Sequence, residues 1–183
     1  NAAYAKRYAD RIAAIRAAES RVAPDSTAVT EAAARNLFKL MAVKDEYEVA
    51  RLYTDGSFAR QISKEFQSFD RLEFHLAPPI LGRKGTDGKP VKSSFGGWMM
   101  TGFRLLAALK GLRGTAFDVF GWSEERRFER ELLAEYERDL DLIQGLLRAD
   151  KIEAAAALAA VPSLIRGYGH VKRASADTAS GER

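Results

Sequence analysis

The chain has 183 residues, no cysteine and a net charge of +4, from 29 Lys and Arg against 25 Asp and Glu. The missing cysteine excludes a disulfide scaffold, cysteine-ligated zinc, cysteine-bound iron–sulfur clusters and a thiol nucleophile, and fits a reducing, cytoplasmic setting. A composition of 46% hydrophobic and 30% charged residues is globular, the charge excess is too small to mark a nucleic-acid surface, and no run reaches the ~18 apolar residues of a membrane span.

The chain starts Asn1-Ala2-Ala3-Tyr4, with neither an initiator Met nor the apolar core of a signal peptide, and so reads as cut from something longer. A helical stripe begins at once: Tyr4, Tyr8, Ile12, Ile15 and Val22 recur at helical spacing. Ala23-Pro24-Asp25-Ser26 breaks it, and Thr27 or Thr30 is placed to cap the next helix. That helix carries Ala33, Leu37, Leu40 and Met41 on one face and is expected to run on, with a kink, to Tyr53, with Lys44 and Glu48 as an i,i+4 pair. Gly56 suits a left-handed stop, and Ser57 opens a short helix to Phe66.

The period then changes to two. Leu72, Phe74 and Leu76 alternate with Glu73 and His75, which predicts a strand with His75 on its polar side. Gly82 to Gly97 is a glycine-rich loop, and Asp87-Gly88 marks the turn of a small β-hairpin. Trp98 to Leu112 is apolar nearly all round, the pattern of a central helix. From Ser123 a long charged helix carries the stripe Phe128, Leu132, Tyr136, Leu140, Ile143 and Leu147. Its carboxylates, Glu129 among them, interleave with arginines, as on a solvated, ion-paired face. A further helix spans Lys151 to Ala160 and ends before Pro162. Short turns flank Gly167-Tyr168-Gly169, and the small, polar segment from Ser175 to Arg183 reads as a flexible tail. The predicted architecture is mainly α: one compact multi-helix domain over residues 1–174 with a small β-hairpin, and a flexible tail over 175–183.

Two motifs invite a ligand. Gly82-Arg83-Lys84-Gly85-Thr86-Asp87-Gly88-Lys89-Pro90 superficially resembles a phosphate loop, but five residues separate Gly82 from Gly88 and Pro90 stands where the hydroxyl belongs. Gly167-Tyr168-Gly169-His170-Val171-Lys172 begins like a dinucleotide fingerprint but ends on Lys172 and follows a helix. What survives is a basic loop with Arg83, Lys84, Lys89 and Lys92, and a turn with His170 and Lys172, as candidate contacts for an anion or an acidic partner. The two histidines, His75 and His170, have no metal-ligand spacing, and no nucleophile is marked.

Four blocks in order carry a family resemblance. They are Asn36 to Asp55, Phe74-His75-Leu76-Ala77-Pro78-Pro79, Leu112-Arg113-Gly114-Thr115 with Phe117-Asp118, and Ile165-Arg166-Gly167-Tyr168-Gly169-His170-Val171-Lys172. Together they resemble the C-terminal region of long, single-chain indolepyruvate:ferredoxin oxidoreductases, which are thiamine-dependent 2-oxoacid oxidoreductases. The resemblance implies a parent enzyme that decarboxylates aryl 2-oxoacids oxidatively to acyl-CoA and passes electrons to ferredoxin. Such a parent uses thiamine diphosphate with magnesium, iron–sulfur clusters and CoA, and is expected as a homodimer. The present chain has no Gly-Asp-Gly thiamine motif and no cysteine, so no catalytic, cofactor or metal residue is carried over to it. Its implied role is non-catalytic: assembly, docking on other domains of the same enzyme, or cover for the active site. The alternative is a module that binds CoA or an acidic ferredoxin through the basic loop.

Overall fold

A computed structural model describes residues 2–43, 45–76 and 91–181. The described residues are mainly helical, with one two-stranded antiparallel sheet, as the sequence predicts. The chain, read from sequence as one domain over 1–174, divides into two compact units: residues 1–43 with 124–183, and residues 44–123.

The first unit contains α1 (Ala2–Val22), α2 (Ala28–Met41), a long charged helix α6 (Glu124–Leu146), α7 (Ile152–Ala160) and α8 (Gly169–Ser180). Helix α2 packs against α1, α6 and α7. Its apolar face, Val29, Ala33, Leu37, Leu40 and Met41, is buried against Ile15 of α1 and Leu132, Tyr136, Leu140 and Ile143 of α6. The stripe read from α6 is therefore the core-facing stripe. Tyr136 is fully buried, and its hydroxyl donates to the Ala159 carbonyl of α7 at 2.8 Å. Burial, with the nearby Asp139 charge, pushes that phenol well above its ordinary range.

The start of α2 is capped from a distance. Thr27 makes no side-chain cap bond. Instead the carboxylate of Glu19, fully buried on α1, accepts from the N–H groups of Val29 (3.0 Å) and Thr30 (2.9 Å) and from the hydroxyls of Ser26 (2.7 Å) and Thr30 (2.6 Å). These are the free N–H groups of a first turn, where a negative charge is favoured. Burial alone would raise the Glu19 pKa, but the hydrogen bonds from Thr30, Ser26 and Val29 outweigh it, and the group lies below the usual carboxylate range.

The second unit holds α3 (Glu46–Thr54), α4 (Ser57–Glu65), β1 (Phe74–Leu76), β2 (Ser93–Phe95) and α5 (Met99–Ala108), which tightens into a 3₁₀ turn over Leu109–Leu112. Its core is aromatic. Tyr53 stacks on Phe103 with ring centroids 4.8 Å apart, and Phe74 meets both rings edge-on at 5.2 Å. The strands pair Phe74 with Phe95 and Leu76 with Ser93, so Phe74 faces the core while His75 faces out, with Nδ1 3.0 Å from the Ser94 hydroxyl. The expected turn at Asp87-Gly88 lies outside the described residues, as does Lys44 with its expected pairing to Glu48.

Three expectations are corrected. First, the helix begun at Ala28 does not reach Tyr53. It stops at Met41, and Asp45 starts a new helix by accepting the Glu48 N–H at 2.8 Å; Gly56, at φ 85°, then separates α3 from α4. Second, α5 is not central to the chain. Phe103 is buried, but Trp98, Leu105 and Leu109 on its other face are exposed, so its all-round apolarity serves a core and a surface together. Third, the segment from Ser175 forms the second half of α8. Ala176 and Ala179 are buried, and the Ser175 hydroxyl accepts the Arg166 N–H and donates to the Leu164 carbonyl.

Two measurements check this account. Leu140→Ala should cost about 2–5 kcal/mol in denaturant unfolding, whereas Leu105→Ala, at a site 63% exposed, should cost less than about 1 kcal/mol. Because the folded Glu19 pKa is depressed, its stabilisation is complete above the unfolded carboxylate value of about 4.3 and fades as pH falls through the lower folded value. Glu19→Gln should cost about 1–3 kcal/mol at pH 7 and progressively less on acidification, as read from melting curves across pH.

Candidate functional site

Of the six residues singled out from sequence, Arg83, Lys84 and Lys89 lie outside the described residues. Lys92 is exposed just ahead of β2, and His170 is exposed in the first turn of α8. Lys172 is turned inward. Its Nζ lies 2.9 Å from Glu129 Oε1 on α6, and the other Glu129 oxygen takes Arg126 at 2.5 Å. Glu129 is thus buried between two cations rather than part of a solvated face.

The rest of this turn also bonds to α6. The Gly169 N–H at the start of α8 points to Glu125 Oε1 at 3.3 Å, and the Arg173 guanidinium lies 4.8 Å over the Phe128 ring. The glycines have a steric reason as well: Gly167 has φ 83°, and a Cβ there would stand 2.6 Å from Val171 Cγ1. The anion suggested by Gly-Tyr-Gly-His-Val-Lys is supplied from within, by carboxylates of α6.

A second buried carboxylate arrangement lies in the second unit, at the loop that follows the 3₁₀ turn. Asp118 is buried, and its carboxylate organises the loop around itself. Oδ2 accepts the Gly114 N–H at 2.8 Å, and Oδ1 accepts the Gly121 N–H at 3.1 Å and the Tyr47 hydroxyl at 3.2 Å. Burial pushes the Asp118 pKa up, but the Gly114, Gly121, Tyr47 and Phe120 donors outweigh it, so the carboxyl lies below its usual range. Tyr47 is pushed the other way by burial and by the Asp118 charge. Two glycines make the loop possible. Gly114 adopts φ 76°, and a Cβ on Gly121 would stand 2.7 Å from Asp118 Oδ2.

Arg113 secures the near end of the loop. Its guanidinium forks onto Asp45, with Nε 2.5 Å from Oδ2 and a terminal nitrogen 2.7 Å from Oδ1, and it sits 5.8 Å from the Tyr47 ring centroid. Asp45 therefore caps α3 and holds Arg113 with the same carboxylate. Phe120 packs edge-on against Tyr47 at 5.3 Å. The remaining large side chains point outward: Phe117 is 75% exposed, Val119 61% and Trp122 70%.

This loop has few uses as reaction chemistry. Asp118 is ionised and its oxygens are already bonded, so it neither donates a proton nor offers a free base. Among the described residues no three His, Asp or Glu side chains gather where they could hold a metal ion, and the chain has no cysteine for an iron–sulfur cluster. Around the bonded carboxylate the loop leaves Phe117, Val119 and Trp122 exposed.

Sequence reasoning left this arrangement unread, although Asp45, Tyr47, Arg113, Gly114 and Asp118 all fall inside the blocks quoted for the family resemblance. The available signal was Gly114 and Gly121 flanking an aspartate, amid aromatics with no partner in a helical stripe.

Residues 1–183 match a family of unknown function, DUF6537, and the chain belongs to that family. No curated protein and no solved structure matches it.

Asp118→Asn should place an amide NH₂ against N–H donors and cost about 1–3 kcal/mol. Amide hydrogen exchange at Gly114 and Gly121 should accelerate while the amides of α6 keep their protection. Unchanged exchange at both glycines would mean that the loop is held by something else.

Proposed function

We propose that this member of the DUF6537 family is a non-catalytic docking domain. On this reading it is the C-terminal part of an indolepyruvate:ferredoxin oxidoreductase-like enzyme, and it serves assembly of that enzyme or cover of its active site. The observation that carries the docking role is the Asp118-held loop, which fixes Phe117, Val119 and Trp122 in exposed positions. Large aromatic groups held rigidly at a surface are the usual anchors of protein interfaces, because little conformational freedom remains to be lost on binding.

The oxidoreductase context rests on the four sequence blocks alone; membership of a family of unknown function adds no activity to it. The thiamine diphosphate, magnesium, iron–sulfur clusters and CoA of such an enzyme would be bound by other parts of it, since this chain has no cysteine and no thiamine motif. A homodimeric parent and a cytoplasmic setting belong to the same proposal. The alternative, an anion- or ferredoxin-binding module, has less to draw on. Lys172 is committed to Glu129, which leaves Lys92 and His170 as the exposed candidates among the described residues. No described helix is long and apolar enough to cross a membrane.

The test is purification of the native protein from its own cells through a tag on this chain, followed by assay of thiamine, iron and pyruvate-type 2-oxoacid oxidation. The native assembly should contain thiamine diphosphate and iron and oxidise indolepyruvate with CoA and an electron acceptor. The isolated 183-residue chain should not turn over. A native assembly free of thiamine and iron, or turnover by the isolated chain, overturns the reading.

A further inference from the structure

The chain has two tryptophans, Trp98 and Trp122, and both are exposed. They bracket a stretch of chain rich in exposed apolar side chains. Trp98, Leu105 and Leu109 recur at intervals of seven and four, which places them along one helical face opposite buried Phe103. The same stretch continues into the Asp118-held loop with Phe117 and Val119. Scattered exposed apolar residues are ordinary, but this density within 25 consecutive residues marks a contact surface.

Its charge is one-sided. From Lys92 to Trp122 the charged residues are Lys92, Arg104, Lys110, Arg113 and Asp118. Asp118 is buried and bonded to backbone N–H groups, and Arg113 is held by Asp45. What reaches solvent from this stretch is apolar surface with Lys92, Arg104, Lys110 and the half-exposed Arg113, and no exposed carboxylate.

We infer that this face docks an acidic protein surface, an apolar recess rimmed by Asp and Glu that receives Phe117 and Trp122 while its carboxylates meet Arg104 and Lys110. The inference rests on the docking role proposed above and adds the partner's chemistry. A second copy of the chain is a poor occupant, because a two-fold interface would set these bases against themselves.

The test places a photo-crosslinking residue in the full protein within its own cells, as Phe117→p-benzoylphenylalanine, with Leu142→p-benzoylphenylalanine in the first unit as an exposed control. The Phe117 probe should give a discrete protein adduct whose crosslinked peptide is rich in Asp and Glu, absent from the control. Trp122→Ala should reduce its yield about tenfold or more. The double change Arg104→Glu and Lys110→Glu should reduce it about tenfold at ~50 mM salt and much less at ~500 mM. Circular dichroism should show unchanged folding for these surface variants.

Adducts with lipid, adducts with a second copy, no adduct, or a yield indifferent to charge reversal each overturn the inference. An acidic peptide from another domain of a thiamine-dependent oxidoreductase supports both this surface and the proposed function. An acidic peptide from a protein without that chemistry supports the surface and overturns the proposed function. A native assembly that contains thiamine and iron but yields no acidic adduct does the reverse.

Discussion

Glu19 sits out of water beneath the first turn of α2, and the packing of the first unit follows from how its charge is satisfied. An ionised carboxylate cannot be buried without donors. The start of α2 offers what is needed: free N–H groups, the positive end of the helix, and two hydroxyls. Each solves the other's problem, since the orphan N–H groups of α2 would themselves be costly if buried unpaired. The bond also fixes α1 against α2 at one end, so that Ile15 meets Val29 and Ala33 in the shared core. Helix α2 can then serve as the element on which α6 and α7 pack.

The same rule operates at Asp118 and Glu129 with different donors. Asp118 uses backbone N–H groups and a phenol, all neutral, so the group stays an anion and its loop closes around it. Glu129 uses two cations, Arg126 and Lys172. Neutral donors fix geometry with modest net energy. Two cations on one buried carboxylate demand partial desolvation of three charges, which makes the Glu129 cluster weak as a source of stability and suited to orientation. Its position fits that role, because Lys172 registers α8 on α6 where few large apolar side chains do so. The buried residues of α8 are only Ala176 and Ala179.

What was legible in the sequence was periodicity. The stripe of α6 could be read because its apolar residues are large and regularly spaced, and Leu132, Tyr136, Leu140 and Ile143 are buried. The strand at Phe74 could be read because Leu72, Phe74 and Leu76 alternate with Glu73 and His75, although only Phe74–Leu76 pair as strand. Failures arose where a polar side chain did the structural work. Asp45 caps α3 and interrupts a helix that periodicity carries straight through it. Glu129 is indistinguishable in sequence from the exposed carboxylates around it, since only the placement of Lys172, 43 residues later, reveals its burial. The segment after Ser175 looked like a tail because alanine, serine and threonine are small and polar on average. On a helix the two alanines at spacing three reach the core, and Ser175 bonds back to the turn before it.

Asp118 also decides between chemistry and contact for its loop. Left to itself, a loop with Phe117, Val119 and Trp122 would lower its free energy by folding those side chains onto its own backbone or onto α5. The bonds from Gly114, Gly121 and Tyr47 prevent this collapse by fixing the backbone first, and Gly121 allows an approach to the carboxylate that no side chain could share. A reactive carboxylate needs an open lone pair and a pKa that can be crossed near neutrality. Asp118 has bonded oxygens and a carboxyl held below its usual range. The apolar groups the loop leaves in water are an unfavourable arrangement for the chain by itself. The sequence tolerates that exposure at Trp98, Leu105 and Leu109 as well.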